Sequence, residues 1–210
     1  PTDEYAITHE NALYGKSESW YFIEPPSEGW IYADSLIEDK REIKRSILNG
    51  DYESVVGKII VSKDDVVYIP SGTLHALTRG SLVYEIQQST DITYRFFDYN
   101  RLDNDGKLRD LHLDDAIETL NTENRVKSSA FPKDTLVSEQ PYTMVRKTLE
   151  NVYHNTTDVA VAITVSKGSM CVDGHSILAG MSILVLPDEA INISQAAEEV
   201  VIATPKLYFK

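Results

Sequence analysis

The sequence has one cysteine, Cys171, in 210 residues. That excludes an intramolecular disulfide, argues against a cysteine-based metal cluster, and leaves Cys171 to be read as a small buried apolar side chain. Long apolar runs are missing as well. No stretch approaches the ~18 residues of a membrane span, and the first residues carry neither a basic run nor an apolar signal core, so a soluble, cytoplasmic protein is expected. Positive charge is scarce. With 20 lysines and arginines against 33 aspartates and glutamates, the formal net charge is −13, which argues against sequence-independent binding to nucleic acid or anionic lipid. An anionic ligand must therefore find a local basic pocket. An initiating methionine is also missing: the chain opens on Pro1, and we expect a fragment.

What is present fits a globular protein of one large or two small domains, 42% hydrophobic and 25% charged. Residues 1–15 are rich in turn formers and read as a surface segment with one helical turn, His9 being solvated. Residues 17–24 alternate, so Glu18, Trp20 and Phe22 share one face of a strand. A carboxylate beside two large aromatics needs a cation, a metal or exposure at the strand end, and Lys16 lies two residues earlier on the same face. After Pro25 and Pro26 and a short strand at residues 30–33, Asp34 or Ser35 caps a helix. Its stripe runs through Leu36, Ile37, Ile43, Ile47 and Leu48, and Gly50 stops it.

Closely spaced strands follow at residues 55–61, 66–69, 73–77, 82–88 and 92–98, the spacing of an antiparallel sandwich or barrel. The third of them carries His75 on a face shared with Thr73 and Leu77, placed to point inward. In the last, Asp91, Thr93, Arg95 and Phe97 share a face. Asp91 and Arg95 then stand about 13 Å apart, too far to pair, and could address different parts of one elongated ligand. A polar loop leads to an amphipathic helix marked by Leu113, Ala116, Ile117 and Leu120, with His112 at its start. Residues 123–133 read as a linker. In the β-rich block beyond it, Ile183-Leu184-Val185-Leu186-Pro187 echoes Val66-Val67-Tyr68-Ile69-Pro70, with Asn192 at the offset of His75. His154 and His175 sit in turn-like settings and read as surface residues.

Four segments together resemble the type I, zinc-dependent, cupin-fold mannose-6-phosphate isomerases in their shorter bacterial form. They are Gly15-Lys16-Ser17-Glu18-Ser19-Trp20-Tyr21, residues 68–77, residues 85–95 (Glu-Ile-Gln-Gln-Ser-Thr-Asp-Ile-Thr-Tyr-Arg), and Asp98-Tyr99-Asn100-Arg101-Leu102 leading to Leu111-His112-Leu113. The likeness runs from residue 1 to about residue 120. It implies a mainly β double cupin with a few helices: a catalytic barrel over 1–122, a linker over 123–133 and a degenerate second barrel over 134–210.

By the same resemblance, Glu18 and His75 occupy two positions of the family's zinc site. The other two ligands, a glutamine and a histidine, would precede Pro1. Arg95 matches the active-site arginine, Lys16 a pocket lysine and Asp91 a pocket acid. The implied reaction interconverts mannose 6-phosphate and fructose 6-phosphate through a cis-enediol. Arg95 would meet transition-state charge or the phosphate, Lys16 would bind substrate or transfer a proton, and Asp91 would be the base. A non-catalytic cupin that binds a sugar or sugar phosphate is the alternative. An iron-dependent cupin oxygenase fits less well, because such sites favour histidine clusters and His75 stands alone.

Overall fold

A computed structural model describes residues 1–207, so the last three positions of the expected second barrel lie outside the described residues. Two compact units divide the chain, Pro1–Ser129 and Ala130–Lys210. The fold is mainly β and cupin-like, with three short helices among the described residues.

In the first unit, α1 (Asp3–His9) precedes β1 (Glu18–Glu24), β2 (Trp30–Ser35), α2 (Lys40–Leu48), β3 (Val56–Ile60), β4 (Asp65–Ile69), β5 (His75–Ala76), β6 (Leu82–Gln87), α3 (Leu113–Thr119) and β7 (Ser128–Ala130). One sheet has the order β6-β1-β4-β7 and the other β3-β2-β5. Alternation along β1 and β2 turns Trp20, Phe22, Ile31 and Ala33 into a core completed by Val61, Val67, Ile69 and Val126. A second cluster, Ile43, Ile47, Val55 and Leu120, docks the helices beside the sheets. Burial of these side chains is worth roughly 1.5–3 kcal/mol each and dominates the unit's stability.

Several local expectations change. The segment 92–98 forms no strand. Single attachments hold it instead: the Tyr94 hydroxyl donates to Glu10, the Lys16 ammonium to Thr93 Oγ1 at 3.0 Å, and the His112 N–H to the Arg95 carbonyl at 3.0 Å. The expected strand over 73–77 shrinks to His75–Ala76. The first helix makes two turns, not one, because the Thr2 hydroxyl caps it by accepting from the Tyr5 N–H. Neither Asp34 nor Ser35 caps α2. Ser35 ends β2 and Asp34 accepts from the Val126 N–H at 2.9 Å, whereas Asp39 accepts from the Arg41 N–H at 2.8 Å and starts the helix.

The second unit holds β8 (Leu136–Ser138), β9 (Tyr142–Lys147), β10 (Asn151–His154), β11 (Val161–Lys167), β12 (Ser169–Val172), β13 (His175–Leu178), β14 (Ser182–Val185), β15 (Ala190–Gln195) and β16 (Glu199–Pro205). Its two sheets, β14-β11-β16-β9-β8 and β10-β15-β12-β13, close over Val161, Ile163, Val165, Met170, Val172, Ile193 and Val200. Both His154 and His175 are exposed, and Cys171 is partly exposed rather than buried.

Candidate functional site

Glu18 opens β1 at a position where antiparallel pairing with Ile69 of β4 and Gln87 of β6 covers both edges of the strand. Its side chain is 3% exposed, so its charge must be answered nearby. The answer comes from β5: His75 Nε2 stands 3.0 Å from Glu18 Oε1. On the other side of the ring, Nδ1 lies 2.8 Å from the Thr73 carbonyl and donates to it. Both ring nitrogens therefore face acceptors, and the contact with Glu18 holds when Nε2 carries a proton or meets a cation. Removal from water pulls the His75 pKa down, but the hydrogen bond and charge of Glu18 outweigh it and the net shift is upward. Trp20 supports the imidazole edge-on, with ring centroids 5.3 Å apart.

These side chains line a cavity of about 680 Å³, together with Lys16, Glu85 and Arg95. The volume lies within the range of small-molecule sites. Lys16 is placed by its bond to Thr93 and so ties the entry of β1 to the stretch bearing Arg95. Asp91 is exposed and is not among the residues that line the cavity. Irregular backbone, in place of the expected strand, separates it from Arg95.

Glu85, not singled out from the sequence, faces the cavity from β6, where it is paired with Trp20. Burial raises its pKa first and the Glu18 charge second, while Lys16 and His75 pull it down. The signal that could have found it is the β1–β6 register, which a single sequence does not contain.

A second group sits in the same cavity wall. Asp98, 5% exposed, accepts from Arg101 Nη2 at 2.6 Å and from both Nε and Nη2 of Arg109. The Arg109 hydrogen bonds hold the Asp98 carboxyl down at about 2 against an ordinary 3.8, with Arg101 adding to the effect. Beside it stand Phe97 and Tyr99, with ring centroids 5.1 Å apart, and Tyr52, which lies 4.4 Å from Phe97.

Zinc, implied by the resemblance, would find two donors of suitable chemistry in Glu18 Oε1 and His75 Nε2, the latter oriented by the Nδ1 bond to Thr73. A catalytic zinc takes three protein ligands. Among the described residues no group of three His, Cys, Asp or Glu side chains could hold a metal ion. The side chains of this chain do not by themselves fit a complete zinc site.

No family model matches the sequence. Over 120 residues, 57% of this chain and 38% of the relative, it is 42% identical to the mannose-6-phosphate isomerase ManA of Bacillus subtilis. It is 39% identical over the same shares to the mannose-6-phosphate isomerase of Streptococcus mutans. The matched stretch thus amounts to well under two thirds of either relative. The crystal structure of the mannose 6-phosphate isomerase from Bacillus subtilis superposes with a TM-score of 0.72 at 27% identity, covering 97% of this chain and 69% of that one. The resemblance read from the sequence is borne out as a likeness: over about 120 residues this chain is similar to proteins named mannose-6-phosphate isomerases.

Proposed function

We propose that the protein is an aldose–ketose isomerase that interconverts mannose 6-phosphate and fructose 6-phosphate in the cytoplasm. The observation that carries this reading is the convergence of Glu18, His75, Lys16 and Arg95 on one cavity, in a chain whose relatives are named for that reaction. The reaction removes the proton from C2 of the aldose while O1 takes up a proton, giving a cis-enediol. Delivery of a proton to C1 and loss of the O2 proton complete the ketose. Its barrier comes from the weak acidity of a C–H beside a carbonyl, and a positioned base contributes roughly 10²- to 10⁴-fold.

Arg95 is assigned to the charge that develops on the enediolate oxygens, as a permanent cation that needs no reorganisation when that charge appears. Lys16, which lines the same cavity, is assigned to binding the substrate hydroxyls. The proton is assigned to Glu85 rather than Asp91. Glu85 lines the cavity, and partial desolvation with the nearby Glu18 charge makes its carboxyl easier to protonate, whereas Asp91 is not among the lining residues. Because the ligand set for zinc is incomplete among the described residues, no step is routed through a metal. The same incompleteness favours a second reading for the chain taken alone, a cupin that binds the sugar phosphate without turning it over.

A coupled assay of mannose 6-phosphate isomerisation, with metal content measured alongside, tests the proposal. Arg95→Ala is expected to lower turnover by about 10²- to 10³-fold with the thermal midpoint unchanged. Unchanged turnover would refute the assignment.

A further inference from the structure

The turn that carries Tyr99 has no use in the chemistry proposed above. Tyr99 and Asn100 both have φ of 52°, and the Arg101 N–H donates to the Asp98 carbonyl at 2.9 Å. That is the sign pattern and hydrogen bond of a type I′ turn. Asparagine tolerates the left-handed region, but a bulky residue there crowds its Cβ against the backbone, and glycine is the usual solution. Such an outlier persists when its surroundings over-determine it, and outliers of this kind cluster where ligands are held.

The surroundings are well defined. Asp98, buried, grips Arg101 on one arm of the loop and Arg109 on the other, and Phe97 packs against the Tyr99 ring from below, backed by Tyr52. The result is a ring that remains 49% exposed in the wall of the cavity that also contains Glu18, His75 and Arg95.

We propose that Tyr99 contacts substrate by laying its ring against the carbon face of a hexose phosphate, and that Asp98 is a positioning residue that holds the turn presenting it. The inference rests on the function proposed above. A hexose offers an apolar C–H face and a hydroxyl-bearing edge. An aromatic plane covers the first, while the guanidinium groups of Arg101 and Arg109 in the same cavity wall meet the second.

Steady-state kinetics and calorimetry with mannose 6-phosphate test it. Tyr99→Gly removes the ring and relieves the left-handed backbone. KM and Kd should rise about fivefold to tenfold, the scale of one well-packed aromatic contact, with kcat within about twofold and no fall in thermal midpoint. Tyr99→Phe should keep affinity within about twofold, since the aromatic face is retained. Asn100→Gly relieves the same turn and should leave KM unchanged. Asp98→Asn should raise KM by a factor similar to Tyr99→Gly, and the two together should lose no more than Tyr99→Gly alone.

Unchanged KM and Kd in Tyr99→Gly would overturn the proposal. So would an equal loss in Asn100→Gly, which would assign the effect to the backbone. If the wild-type protein binds mannose 6-phosphate without isomerising it, the proposed function fails, yet the calorimetric comparison still decides the role of the ring. No measurable binding by the wild type would overturn both.

Discussion

The two units repeat one strand arrangement and equip it differently. In the first, β1 lies between β4 and β6; in the second, β11 lies between β14 and β16. Each central strand shows a register shift against the later partner, at Phe22/Glu24 and at Val165/Lys167. The echo between residues 66–70 and 183–187 matches Val185 to Tyr68. Through the ladders it then matches Val161 to Ser19, so Glu18 corresponds to Ala160 and His75 to Asn192. The arrangement of strands persists without the carboxylate and the imidazole, so neither is there to hold the sheet together.

A second contrast concerns how each unit treats a buried carboxylate. Glu199, 0% exposed, is saturated by Arg146 Nη2 at 2.6 Å and Nε at 3.1 Å, with the Ser166 hydroxyl at 2.8 Å. Arg146 in turn donates to the Phe131 carbonyl. Glu18 meets an imidazole whose side chain is 28% exposed and which itself lines a cavity. Glu199 also has Lys167 at 3.8 Å, a cation whose side chain is likewise 28% exposed, so what sets Glu18 apart is the cavity that it and its partner line and that Glu199 does not.

The contrast can be broken by experiment. The largest effect is expected from Glu199→Ala, which removes the carboxylate that answers the buried Arg146 cation. Urea unfolding should show a loss of about 3–5 kcal/mol. Glu18→Gln should change unfolding free energy by less than about 1.5 kcal/mol, yet lower turnover of mannose 6-phosphate, because it removes the negative charge that answers His75 in the cavity. If it unfolds the protein as Glu199→Ala does, the distinction between the two carboxylates is lost.

Acid provides a smaller test. The Asp98 carboxyl titrates at about 2 in the folded state and at 3.8 ordinarily. Its contribution to stability is therefore complete above pH 3.8 and is lost as pH falls through about 2. Thermal midpoints measured down this range should fall less steeply in Asp98→Asn than in the wild type. Least of all should come from replacing the buried pair outright: Arg146→Met with Glu199→Leu should stay within about 1 kcal/mol of the parent, because two desolvation costs disappear along with the attraction.

Much of the architecture was legible in the sequence because it rests on patterns of period two. Alternation in residues 17–24 and the short spacing of the runs from residue 55 onward were enough to name an antiparallel, mainly β fold. Convergence of Glu18 and His75 followed from the motifs around them, and the 3.0 Å contact gives it a geometry. What could not be read was anything fixed by single long-range attachments. Asp91 looked inward on the premise of a regular strand, but Tyr94 and Thr93 are tied to Glu10 and Lys16, and the ladder never forms. Glu85 and the Asp98–Arg109 pair depend on register and on loop closure. Neither leaves a local periodic trace.

Those attachments have an evolutionary consequence. Because the segment bearing Arg95 is pinned at a few points, such as Phe96 in the helix core and the buried Asp98, rather than woven into a sheet, substitutions between those points break no strand ladder. Change there can reshape the cavity while the scaffold stays intact, so divergence among related chains is expected to concentrate between β6 and α3.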